Sequence, residues 1–238
     1  MPKKLSGKEI GESAFCIIYL LFLVVTGIIS LLKKDHTLFI MILLLGVGDS
    51  FHLIPRIKKN LKGDFPKSDF YLGLGSQISS ITMTLFYYVL FLLMGYGFLN
   101  GFNDYFFTLT PSLSNTLKAI GEATVSFFVN PRYELLPSIV IYLTLIRIIL
   151  CLFPNNNWYK KEGNQVWAVI RNIPFVLIGA ITVYSVSTTI GFDFLSILII
   201  LSFLFYLPVA LFAKKNPKLG MLMIPKTICY ILMITYFL

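Results

Sequence analysis

Asp49, His52 and Arg56 lie in the run GVGDSFHLIPR, residues 46–56, inside a stretch that is otherwise apolar. Offsets of three and seven bring the three side chains within about 60° of one another on a helix face. A guanidinium there can bind an anion, and an imidazole oriented by a carboxylate can move a proton. A metal would need a third His or a further buried carboxylate, and the neighbouring cations would repel it, so no metal is expected. Ser50 or Ser80 beside His52 and Asp49 offers the elements of nucleophilic catalysis, but neither sits in a nucleophile motif. Lys226 lies too near the start of its apolar run for a retinal Schiff base and lacks an acidic residue one turn earlier. With no P-loop, GxGxxG or haem motif, no cofactor is expected.

Other polar residues interrupt apolar runs. Gln77, Ser80, Thr84 and Tyr87 fall at offsets of zero, three, seven and ten, a polar stripe on one helical face. Arg147 stands alone, Arg171 and Asn172 precede Pro174, and Lys226 follows Pro225. Ionisable groups at membrane depth are costly and normally face a protein interior or a wet cavity. Together these eleven residues form the candidate substrate site, with Asp49 and His52 the candidate catalytic pair. The plainer roles are an ion partner for Asp49 in one of the arginines, packing for His52, interfacial anchoring for Arg56, and snorkelling for Arg147, Arg171 and Lys226.

The elements that must carry these residues are membrane helices. Of the 238 residues, 57% are hydrophobic and 13% charged, against roughly a quarter charged in soluble domains. The apolar residues come in blocks of about twenty, enough to cross a hydrocarbon core. Seven such spans are expected: 14–32, 37–55, 71–98, 135–153, 166–186, 194–213 and 219–238. The first resembles a signal sequence without a convincing cleavage site, so it reads as a retained helix. Residues 99–134 are too interrupted to span. Thr110 and Pro111 suit a helix start, and Leu113, Leu117, Ile120 and Phe127 recur at helical spacing, which suggests an interfacial amphipathic helix, with a re-entrant segment as the alternative. Cys16, Cys151 and Cys229 all sit in apolar blocks and have no metal or disulfide spacing. Trp158 and Trp167 read as interfacial belt residues.

Loop charges give an orientation. With the N-terminus in the cytoplasm, thirteen loop cations fall inside and four outside, and the remaining three of the twenty lie within spans. That bias predicts an N-in, C-out bundle forming one all-α domain over residues 1–238. The net charge of +9 is thus a matter of topology, and nucleic acid is not an expected partner. In this frame the polar residues share the cytoplasmic half, and a single cavity opening to the cytoplasm is expected. Membrane lipids are the expected surroundings.

The segments GDSFHLIPR, SSITMTLFYYVL, RIILCLFPNNNW and RNIPF resemble those of an uncharacterised family of multi-pass membrane proteins of Gram-positive bacteria. That resemblance implies about seven spans in a bacterial cytoplasmic membrane and no activity. The GD pair is also similar to one in lysoplasmalogenase-like membrane hydrolases, a match of two residues. Three functions follow from the residues. The cationic, polar pocket suits binding or transport of an anionic amphiphile or small organic anion. Asp49 and His52 suit a hydrolase or transferase acting on a lipid-like substrate. Polar residues that only hold the bundle together suit a structural or partner-binding subunit.

Overall fold

A computed structural model describes residues 6–96, 112–129, 135–160, 163–213 and 216–238. Helix is the only regular structure among them. In chain order the helices are α1 Gly7–Leu32, α2 His36–Lys62, α3 Ser68–Leu90, α4 Leu113–Val129, α5 Leu135–Leu152, α6 Gln165–Ile190, α7 Phe194–Phe212 and α8 Met223–Phe237. All but α4 are long and apolar enough to cross a membrane, α8 together with the 3-10 turn Pro217–Leu222 before it. The chain is a multi-pass membrane protein.

Short polar residues start these helices by capping their free N–H groups, each cap contributing about 1 kcal/mol. Ser6 and Glu9 form a capping box on α1. Asp35 accepts from Leu38 N at 2.9 Å, and Asn164 from Val166 N at 3.1 Å. Asp193 accepts from Phe194 N at 2.6 Å. Gly63 and Gly191 follow α2 and α6 at φ 83° and 86°, where a side chain would be strained.

Two boundaries differ from the sequence expectation. The second span was expected to stop at Pro55, but α2 continues to Lys62. A proline removes one N–H from the ladder without ending a helix whose next turns are held elsewhere. Here Arg56 is anchored by Glu12, and Lys59 and Lys62 suit the negative C-terminal end of the dipole. The third span ends in a π-helical turn, Phe91–Tyr96. In the intervening region the expected helix exists as α4, whereas Thr110 and Pro111 lie outside the described residues. Its bundle-facing positions are Thr116, Ile120 and Ala123, while Leu117 is 53% exposed, so the apolar stripe is split between two faces.

Successive spans run antiparallel. α2 lies between α1 and α3; α3 also packs on α5, α5 on α6, α6 on α7 and α7 on α8, with α8 touching α2. At one end Arg56 meets Glu12, and Phe70 of α3 stacks on Tyr159 at 4.9 Å. At the other, Lys33 donates to the Leu238 carbonyl and Tyr236 to Asp193 at 2.6 Å. The core between them is aromatic: Tyr87, Phe175 and Phe203 have ring centroids 4.8–5.4 Å apart.

Candidate functional site

Close helix packing sets the position of the α2 residues. Gly75 of α3 lies against the backbone of Phe51 and His52, where a Cβ would meet the His52 Cα at 2.7 Å. The absent side chain lets α2 and α3 approach there, and this turns Asp49, His52 and Arg56 toward α1 and α8.

Asp49 is 8% exposed. Its carboxylate accepts from the Tyr19 hydroxyl at 2.7 Å and from Ser79 at 3.4 Å. Neither arginine of the later spans lies within ion-pair distance, so the expected Asp49–arginine pairing is replaced by hydroxyl donors. His52 Nδ1 lies 3.3 Å from Ser76 Oγ. Arg56 Nε pairs with Glu12 at 2.5 Å. Ser50 and Ser80, the expected nucleophile candidates, donate to carbonyls of their own helices instead.

These residues border a cavity of about 80 Å³ between α1, α2 and α8. Lys8, Glu12, Cys16 and Tyr19 enter it from α1. Asp49, His52 and Arg56 enter from α2, and Lys226 from α8. Phe15, Leu53, Met223 and Ile224 supply much of its apolar wall.

Lys226 is the least satisfied member. It is 3% exposed, and its ammonium lies over the faces of Tyr206 and Tyr230 at 4.9 and 5.1 Å. Among the described residues it makes no hydrogen bond, and no carboxylate comes within 4.0 Å of it. Facing tyrosine rings recovers only a fraction of the hydration a buried ammonium loses. The remaining offset to its charge is the Asp49 carboxylate, which lines the same cavity beyond hydrogen-bonding distance.

The other seven candidate residues do not line this cavity. Arg147, wholly buried, is the centre of a second cluster joining α3, α5, α6 and α7. Its Nε donates to Thr84 at 2.9 Å, and Nη1 to Asn172 Oδ1 at 3.0 Å and to the Arg171 carbonyl. Nη2 donates to the Tyr206 hydroxyl at 3.4 Å, and the guanidinium lies 4.0 Å from the centre of the Phe175 ring. Every acceptor is neutral. Arg171 donates to Asn156 at 2.8 Å and stacks 4.1 Å above Trp158. Trp158, expected from the sequence as an interfacial belt residue, is therefore a platform for Arg171. Gln77 donates to the Cys151 carbonyl at 3.1 Å and accepts from Tyr159 at 2.9 Å. Ser80 donates to Ser76 O, and Tyr87 meets Ser202 Oγ at 2.6 Å.

The single expected cavity is thus two places: a cavity lined by Lys226, and a knot in which Arg147 is hydrogen-bonded to neutral acceptors while Arg171 Nε has no hydrogen-bond partner among the described residues. Tyr206 stands between them, donating to Asn172 at 3.0 Å and presenting its ring to Lys226. The α1 contribution was missed in the sequence, although Lys8, Glu12, Cys16 and Tyr19 at offsets of four, eight and eleven mark one face of that helix.

No protein-family model, curated protein or solved structure matches this chain.

Proposed function

We propose that the cavity between α1, α2 and α8 binds an anionic amphiphile and that the protein carries or senses it at the cytoplasmic side of the membrane. The observation that supports this most is Lys226, a buried ammonium lining an apolar-walled cavity, with no hydrogen bond and no carboxylate within 4.0 Å among the described residues and only the longer-range attraction of Asp49 to offset its charge. Glu12 and the tyrosine and serine hydroxyls already engage Arg56 and Asp49. Lys226 feels Asp49 across the cavity but is not hydrogen-bonded to it, so its N–H donors remain for an incoming anion, and the apolar wall suits an attached chain. The cytoplasmic side follows from the loop cations: Lys8, Arg56, Lys58, Lys59 and Lys62 lie at the cavity end of the bundle. In that orientation the C-terminus is external and α4 rests at the outer interface.

A hydrolase would use His52 with Ser76. Asp49, however, is occupied by Tyr19 and Ser79 rather than orienting the imidazole. Binding is the better-supported reading.

A thermal-shift screen in detergent tests it, with matched anionic, neutral and cationic single-chain amphiphiles. Ligand stabilisation scales as RT ln(1 + [L]/Kd), about 2.7 kcal/mol at a hundredfold excess over Kd. Anionic members should raise the melting temperature above the neutral and cationic ones. Equal shifts from all three classes would refute anion binding.

A further inference from the structure

Resting on that reading, we infer that the occupant is a single-chain lipid acid whose compact headgroup carries one negative charge, of the fatty-carboxylate class. Two independent features of the cavity set the charge and the size.

The charged groups lining it are Lys8, Arg56 and Lys226 against Glu12 and Asp49, a formal balance of plus one from three cations and two carboxylates. Lys8 is exposed at the mouth of the cavity and supplies the excess charge there; a monoanion whose headgroup reaches it restores neutrality over the lining, whereas a dianion leaves an uncompensated negative charge near Asp49. Size points the same way. A water needs roughly 10–15 Å³ of such space, so the cavity's 80 Å³ holds about five to eight water-sized groups. A carboxylate and its first methylenes fill that space, and a sugar or nucleotide headgroup would extend beyond it through the mouth. The chain then runs along Phe15, Leu53 and Ile224. Both α1 and α8 contribute these apolar side chains, so the chain lies between the two helices at the cavity end of the bundle.

The probes are decanoate, decyl phosphate, acetate and decyltrimethylammonium at about pH 8, where the carboxylate holds one charge and the phosphate close to two. Binding is read from thermal shift against concentration. Decanoate should bind tighter than decyl phosphate by on the order of tenfold, and acetate should give no shift at the same concentration. Glu12→Gln keeps a hydrogen-bond acceptor for Arg56 and raises the formal charge by one, so the preference should reverse toward decyl phosphate. Lys8→Gln, at an exposed position, should widen the preference for decanoate and serves as a second variant should Glu12→Gln fold poorly.

Tighter binding of decyl phosphate to the unaltered protein, or an order unmoved by both variants, overturns the charge assignment and leaves anion binding standing. Acetate matching decanoate overturns the chain. No shift from any anion, or an equal shift from decyltrimethylammonium, overturns the anion-binding reading itself.

Discussion

Gly75→Ala tests how the cavity is positioned. An added Cβ would stand 2.7 Å from the His52 Cα and nearer still to the Phe51 carbonyl oxygen. Ordinary contact begins at 3.4 Å and the Phe51 oxygen would stand at 2.2 Å, so α3 must retreat from α2 by about 1.2 Å, the difference between the two. The obstructing atoms are backbone and cannot rotate aside. Overpacking of this kind costs about 1–3 kcal/mol, and we take the upper end. The gain in helix propensity from glycine to alanine returns about 1 kcal/mol. A net loss of about 2 kcal/mol corresponds to a melting temperature lower by roughly 4–8 °C for a chain of this size. Gly11→Ala is the control, since nothing lies within 4 Å of a Cβ there and only the propensity gain remains. The assay is thermal unfolding in one detergent for all three proteins. Equal or higher stability for Gly75→Ala would refute the close α2–α3 crossing that aims Asp49 and His52.

Two further outcomes are expected. Arg171→Lys loses the flat stack on Trp158 and the fork that reaches Asn156, so it should lower thermal stability by about 1–3 kcal/mol while the shift given by an anionic amphiphile persists; a lost shift with an unchanged baseline would place Arg171 in the binding site. At the other end of the bundle, hydrogen bonds from the Tyr236 hydroxyl and the Phe194 N–H hold the Asp193 carboxyl below its ordinary range. A depressed folded pKa stabilises above the unfolded value, near pH 3.9, and that contribution disappears as pH falls through the folded one. Asp193→Asn should therefore flatten the acid limb of the stability profile, and an unaltered limb would remove Asp193 from the account.

The spans were legible in the sequence because the bilayer demands long apolar runs, whatever the packing. Asp49, His52 and Arg56 were legible as one face because their offsets fix their angles on a helix, and all three do line one cavity. What could not be read was which helices are neighbours. Placing Arg147 in the same half of the bundle as Lys226 suggested one site, but lateral order puts it among α3, α6 and α7, where Thr84, Asn172 and Tyr206 enclose it. The side of α1 that faces the cavity was hidden for a different reason. Tyr19 and Cys16 count as apolar in composition, and only the position of Asp49 reveals the Tyr19 hydroxyl as its donor. Gly75 likewise carries no signal by itself, because a helical glycine matters only when another backbone passes over it.

The central claim is that an anion enters the cavity and is held by Lys226, and Cys16 reports on it directly. Cys16 lines the cavity, while Cys151 and Cys229 are buried away from its lining. In a Cys151→Ala, Cys229→Ala background, the rate of Cys16 alkylation by a small maleimide measures whether the space is open. Decanoate should slow that rate when Lys226 is present and leave it unchanged in Lys226→Met, which keeps the length of the side chain and removes its charge. Protection that survives Lys226→Met, or no protection with Lys226 in place, would contradict the account.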